Sequence, residues 1–143
     1  MNLSAEYIEE LATETGFRPE TLEKVIRLGE FAADVGRHPL LSRVLALKGG
    51  TALNLMFGSP ARLSVDLDFN YIGQEKRSGM QADRPEVERA IMVIGKGQGY
   101  KVQQSRAMPM PVERSIFLIP VRPVRLTGLR WISTFCFAYR WER

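Results

Sequence analysis

The sequence predicts an α/β fold for its 143 residues, a length typical of one domain or part of one. Three observations support this prediction. Apolar residues recur at helical spacing over residues 4–15, 19–35 and 84–96. Apolar and polar residues alternate over 64–71, as in a half-buried strand, and a short apolar run at 45–47 fits a buried strand. Helices and strands therefore alternate along the chain.

The two N-terminal helices have clear start and stop signals. The first is expected over 4–15, where Gly16 ends it. Its predicted apolar stripe is Tyr7, Ile8, Leu11 and Ala12. The second begins at Pro19, which suits a first helical turn, and runs to about Val35. Its predicted apolar face is Leu22, Val25, Ile26 and Gly29.

The later elements follow from the same signals. A short helical turn is expected over 40–44, and a helix over 51–57 with the buried face Ala52, Leu53, Leu55 and Met56. Residues 73–81 are polar and predict a loop. Asp83 is the expected N-cap of a helix over 84–96, with Pro85 in its first turn. Its expected core face is Val87, Ile91 and Ile94. Strands are expected over 100–105, 115–119 and 132–139.

Composition excludes several classes of protein. A single cysteine, Cys136, excludes an internal disulfide. No apolar run reaches the roughly 18 residues that a membrane span needs. The first residues have neither the basic start nor the apolar stretch of a signal peptide. We therefore expect a cytoplasmic protein that does not bind a membrane.

Charge is distributed unevenly along the chain. Residues 1–105 carry 13 Lys and Arg against 14 Asp and Glu, whereas residues 106–143 carry 7 Arg against 2 Glu. This difference predicts a core with N-terminal helices over 1–105 and a basic, divergent tail over 106–143. Because a basic arm can bind nucleic acid, one hypothesis is a nucleic-acid-binding module that uses this tail.

A glycine pair separates the strand at 45–47 from the helix that follows. Gly49 and Gly50 can turn the chain so that the backbone N–H groups of the helix start bind phosphate. Thr51 is then an N-cap, a phosphate ligand, or both. Lys48 is either a phosphate ligand or a strand-end lysine, and the second interpretation is favoured. A simple tight turn is the alternative for the whole motif.

Two carboxylates occupy the strand predicted at 64–71. Asp66 and Asp68 are two residues apart, so their side chains are expected on one face. They repel each other unless a cation lies between them, and Mg²⁺ (or Mn²⁺) completed by phosphate oxygens is the usual partner. Arg62 and Ser64 can contact phosphate. Alternatively, Arg62 pairs with one of the two carboxylates, and the acidic pair only keeps an edge strand soluble.

Taken together, these motifs resemble the nucleotidyl transferase AbiEii/AbiGii toxin family over about residues 1–105. The resemblance is carried by Leu47-Lys48-Gly49-Gly50-Thr51-Ala52-Leu53-Asn54-Leu55, by Arg62-Leu63-Ser64-Val65-Asp66-Leu67-Asp68-Phe69 and by Asp83-Arg84-Pro85-Glu86-Val87-Glu88. It implies a nucleotidyltransferase-like mixed sheet flanked by helices, with an incomplete or irregular C-terminal part here. In such enzymes the glycine turn holds the triphosphate, the Asp-x-Asp pair binds Mg²⁺, and a third acid lies on a later strand.

The resemblance also implies a function. It predicts a metal-dependent transferase that moves a nucleotide from an NTP to an acceptor, either tRNA, another RNA or a protein. The family implies a toxin–antitoxin or abortive-infection system, with a cognate antitoxin as partner. The implied catalytic and metal-binding residues are Asp66 and Asp68. The implied nucleotide-binding residues are Lys48, Gly49, Gly50, Thr51, Arg62 and Ser64.

The expected third acid is not found in an apolar strand of the remaining sequence. One hypothesis is a frameshift shortly before Ala107. The codon of Trp131, TGG, followed by AT of Ile132 contains GAT, which encodes Asp in the shifted frame. The alternative is a genuine divergent tail. Without a third acid, the chain is alternatively a catalytically dead remnant that keeps the fold and binds nucleotide weakly at most.

Overall fold

The computed structural model describes residues 4–57, 62–104, 113–120 and 133–138. These ranges contain both helices and strands, and the two alternate from α3 to β3, which confirms the predicted α/β class. In chain order the elements are α1 (Ala5–Thr15), α2 (Pro19–Arg37), α3 (Leu41–Val44), β1 (Leu45–Lys48), α4 (Gly49–Phe57), β2 (Leu67–Tyr71), α5 (Arg77–Gly97), β3 (Tyr100–Gln104), β4 (Glu113–Pro120) and β5 (Ser133–Ala138). Among these residues, no helix has both the length and the apolar content needed to cross a membrane.

The strands form one mixed sheet in the order β1-β2-β5-β4-β3. β2 and β5 are parallel, and the other neighbouring pairs are antiparallel. The mixed sheet implied by the resemblance is therefore present. The strands predicted at 115–119 and 132–139 form as β4 and β5, so both 1–105 and 106–143 contribute to this sheet.

The N-terminal helices have nearly the predicted bounds. The side chain of Ser4 accepts a hydrogen bond from the backbone N–H of Tyr7 at 3.1 Å, and Gly16, at φ 73°, ends α1. The predicted apolar stripe of α1 is wrong in part. Ile8 is its only buried residue, whereas Tyr7 is 48% exposed. A helix at the edge of a small domain buries a narrower face than its apolar content suggests.

The core lies between the sheet and helices α2 and α5. The predicted apolar face of α2 is correct at Leu22 but is otherwise rotated: Val25, Ile26 and Gly29 are half-buried. Leu28, Phe31 and Val35 are buried instead, at the i, i+3 and i+7 spacing of one helix face. The remaining core is Leu41, Val44, Leu45, Leu67, Phe69, Tyr71, Met80, Val87, Ile91 and Tyr100.

Helix α5 begins at Arg77, so the loop predicted at 73–81 is correct over 73–76 and wrong from 77 onward, and the predicted N-cap at Asp83 is wrong. Pro85 lies inside the helix, where it removes one backbone hydrogen bond. Tertiary contacts offset this loss. Val87, two residues after the proline, is buried. Two residues before the proline, the Asp83 carboxylate accepts a 2.6 Å hydrogen bond from the Tyr71 hydroxyl on β2.

Candidate nucleotide and metal site

The carboxylate pair lies where β2 begins. Leu67 and Phe69 are buried, and Asp68 lies half-exposed between them, so the predicted alternation is confirmed. The strand is shorter than the predicted 64–71, and Asp66 is an exposed residue just before it. The reason is the short partner strand: β1 ends at Lys48, which pairs with Asp68, and the chain then turns away into α4.

The glycine pair lies directly against the segment that contains Ser64 and the two carboxylates. Gly49 has φ 78°, a conformation that side chains with a Cβ rarely adopt. A Cβ on Gly49 would lie 2.9 Å from Oδ2 of Asp68, and one on Gly50 would lie 3.1 Å from both Cβ and Oγ of Ser64. The two glycines therefore allow the start of α4 to approach the carboxylate segment closely.

The side chain of Thr51 joins the start of α4 to the segment that contains the two carboxylates. It is 2% exposed, and its hydroxyl donates a hydrogen bond to the backbone carbonyl of Asp66. Since α4 begins at Gly49, Thr51 is the third helical residue, and the predicted N-cap role is wrong. Its hydroxyl proton is used within the protein, so its backbone N–H is the donor left for an anion at the helix start.

Replacing Thr51 by valine should lower the free energy of unfolding by about 1 kcal/mol, because the carbonyl of Asp66 loses a hydrogen bond. Urea unfolding measures the change. Thr13→Val is the matched control, since the Thr13 hydroxyl bonds to the Glu9 carbonyl on the exposed side of α1. Its effect should stay within about 0.5 kcal/mol. Equal losses in both variants would contradict a joining role for Thr51.

Asn54 is a site residue that the sequence prediction did not include. Its side-chain Nδ2 donates to the backbone carbonyl of Arg62 at 3.1 Å, and its Oδ1 accepts from the backbone N–H of Ser64 at 2.6 Å. The available signal was weak: asparagine is a poor residue for a helix interior unless its side chain has a specific partner.

A cavity of about 330 Å³ opens beside these residues. It is lined by Gly50, Asn54, Arg62, Leu63, Ser64, Val65 and Asp66.

The predicted buried face of α4 is wrong at Leu53, which is 60% exposed, while Ala52 is half-buried. The side chains of Leu55 and Met56 lie outside what the structure describes. From α4, Gly50 in the first turn and Asn54 in the second line the cavity.

Three basic residues lie near the carboxylates in the fold. Lys48 is the last residue of β1, as the favoured interpretation predicted, and its Cα partner is Asp68. Lys24 on α2 was missed, because nothing in the sequence links it to β2. Burial lowers the pKa of Lys24, and the negative charge of Asp66 opposes this shift, so the two groups interact. Arg62 is exposed.

The alternative in which Arg62 pairs with a carboxylate is not found. Within the described ranges, no ion pair joins Arg62 to Asp66 or Asp68. Its guanidinium can therefore bind an anionic ligand in the cavity that Arg62 lines.

The described residues fit a magnesium ion that is shared with a substrate. Mg²⁺ typically binds one or two carboxylates, keeps several waters and takes further oxygens from phosphates. Asp66 and Asp68 would supply the carboxylates for such an ion. No cluster of three or more His, Cys, Asp and Glu side chains occurs in the part of the chain described. β5 contains no acid, and its residue in register with Asp68 is Cys136.

No curated protein and no solved structure matches the chain. A family model described as "Nucleotidyl transferase AbiEii toxin, Type IV TA system" matches residues 35–124. The match continues past residue 105, where the resemblance was expected to end, and leaves the frameshift as a prediction. It spans more than half of the chain and includes the glycine turn and both carboxylates. The chain therefore belongs to the nucleotidyl transferase AbiEii toxin family.

Proposed function

We propose that this protein is a metal-dependent nucleotidyltransferase that moves a nucleotide from an NTP to an RNA or protein acceptor, as part of a toxin–antitoxin system. The observation that supports it most is the close approach of Gly49 to Asp68 and of Gly50 to Ser64. This approach places a helix start, which favours phosphate, against a carboxylate pair, which favours a divalent cation.

Each residue then has a distinct task. The first-turn N–H groups of α4 bind the triphosphate, and Ser64 and Arg62 contact its oxygens from across the cavity. Asp66 and Asp68 hold Mg²⁺ or Mn²⁺. When bound, the metal neutralises the charge that develops at the α-phosphate during transfer. The cations then keep the pyrophosphate leaving group in place through electrostatic attraction.

The charge balance of the site supports an anionic substrate. The positive charges of Lys48 and Arg62 offset the negative charges of the two carboxylates. A divalent cation adds positive charge, and a triphosphate then compensates it. A metal ion without nucleotide would be bound weakly, because the described residues offer only two of the ligands that it needs. Metal and nucleotide should therefore bind cooperatively.

Incubating the purified chain with each α-labelled NTP, Mg²⁺ or Mn²⁺, and total tRNA or protein tests the proposal. Label should enter one acceptor, and Asp66→Ala should prevent it. Transfer that survives Asp66→Ala would contradict the metal role, and a wild-type chain that binds no NTP would contradict the whole proposal.

A second candidate is the non-catalytic remnant. It is favoured by one observation: no third carboxylate accompanies Asp66 and Asp68 among the described residues. A remnant binds Mg²⁺ and NTP together but leaves every acceptor unlabelled. Equilibrium binding measured beside the transfer assay distinguishes it from the active enzyme.

A further inference from the structure

Asn54 holds together two segments that are adjacent in the site but separate in the sequence. It lies in the second turn of α4, is half-buried and lines the cavity. One side-chain amide makes two bonds, one as donor to Arg62 and one as acceptor from Ser64. A side-chain amide offers both a donor and an acceptor, whereas a carboxylate has no donor and an ammonium group has no acceptor.

These bonds fix the backbone of the segment that carries the proposed phosphate contacts. The Ser64 N–H is used by Asn54, so Ser64 has its hydroxyl left for a ligand. That hydroxyl lies 3.1 Å from the point where a Cβ on Gly50 would stand, directly at the start of α4. Arg62 lines the same cavity, and the bond to its carbonyl ties its backbone to α4.

We propose that Asn54 is a positioning residue that presents Ser64 and Arg62 to the triphosphate of the nucleotide. The inference rests on the proposed function of this cavity. Asn54 itself does not contact the reacting atoms. It keeps the segment from 62 to 64 in its ligand-binding position before the nucleotide arrives, so that binding need not order the segment.

The test compares Asn54→Ala with wild type by calorimetric titration of Mg²⁺ and a non-hydrolysable NTP analogue. Loss of both bonds should weaken binding about 10- to 100-fold, the loss typical when a residue that orients the ligand-contacting residues is removed. Gln81→Ala is the matched control, because it removes an exposed amide from α5, and its affinity should equal that of wild type. Equal affinity of Asn54→Ala and wild type would overturn the proposal.

A second measurement is independent of the ligand and of the proposed function. In the free protein, amide hydrogen exchange at Ser64 should be slow. Asn54→Ala should make it fast, and Asn54→Asp should keep it slow, since a carboxylate still accepts from the Ser64 N–H. Fast exchange in wild type would overturn the inference even if nucleotide binds. Slow exchange without any nucleotide binding would instead locate the failure in the proposed function. If Asn54→Ala does not fold, the Ser64 exchange rate in Asn54→Asp decides the point: slow exchange is expected, and fast exchange would overturn the inference.

Discussion

Replacing Asp68 by asparagine is expected to lower nucleotide transfer by about 10²–10³-fold, the loss typical when one preorganised electrostatic group is removed from an active site. The substitution keeps the shape of the side chain, so Gly49 still has its neighbour at the same distance. It removes the negative charge that a divalent cation needs. The rate of label transfer at saturating NTP and Mn²⁺ measures the effect.

A charge-matched control separates this effect from a general change in charge. Glu86 is an exposed acid on α5, so Glu86→Gln removes one negative charge without touching the site. It should transfer at the wild-type rate. The Mn²⁺ affinity of Asp68→Asn, measured by electron paramagnetic resonance, should fall together with the rate. An unchanged Mn²⁺ affinity would mean that Asp68 is not a metal ligand.

Elements with local signals could be predicted from the sequence. Ser4 caps α1 because its hydroxyl reaches the N–H three residues later, and Gly16 ends the helix because glycine readily adopts φ 73°. The alternation around Leu67 and Phe69 is equally local, since strand periodicity places both on the buried face. Signals of this kind depend on a few neighbouring residues and survive in the fold.

Elements fixed by distant contacts could not be predicted. Pro85 indicated a helix start, yet α5 continues through it because Asp83 is bound by Tyr71 from β2. The face of α2 is set by what the sheet and α5 cover, which hydrophobic residues at two competing spacings cannot reveal. In both cases tertiary packing outweighs a local preference that amounts to a few kcal/mol at most.

The candidate site divides in the same way. Its two motifs were found because each has a local sequence pattern, and the structure adds how they meet: through Thr51, which bonds to Asp66, and Asn54, which bonds to Ser64. Those bonds join residues that are 15 and 10 positions apart. Lys24 is more distant still, and only the packing of α2 brings it to Asp66.

The register between β2 and β5 identifies the residue that lies beside Asp68 on the neighbouring strand, and that residue is not an acid. Because β2 and β5 are parallel, Asp68 and Cys136 are Cα partners in neighbouring strands. An acid expected on a later strand has no counterpart among residues 133–138 of β5. Contrary to expectation, Glu113 does lie in a strand, as the first residue of β4, but its Cα partner on β5 is Ala138 and not Cys136.

Mg²⁺ commonly takes one or two carboxylates together with substrate phosphates, so a test of binding at this site does not depend on whether the chain transfers a nucleotide. A substitution at Gly49 tests binding without requiring transfer, because a Cβ there would stand against the Asp68 carboxylate.

Gly49→Ala should be the most damaging single change in α4. The φ of 78° alone should cost about 1–2 kcal/mol of stability with a Cβ present. The new Cβ would also stand 2.9 Å from Oδ2 of Asp68, so the carboxylate or the helix start must move. We expect urea unfolding at lower denaturant and, in the fraction that folds, at least tenfold weaker binding of Mn²⁺ with NTP, as a misplaced ligand implies.

Gly36→Ala is the matched control for this variant. Gly36 lies within α2, has no atom within 4 Å of the added Cβ and does not have a positive φ. Because alanine is the better helix residue, this substitution should raise stability by about 0.5–1 kcal/mol and leave binding unchanged. If Gly49→Ala behaved like Gly36→Ala, the turn would tolerate a side chain, and the close approach of α4 to Asp68 would not be what forms the site. Wild-type affinity in Gly49→Ala, even at reduced stability, would likewise show that the triphosphate does not bind at the start of α4.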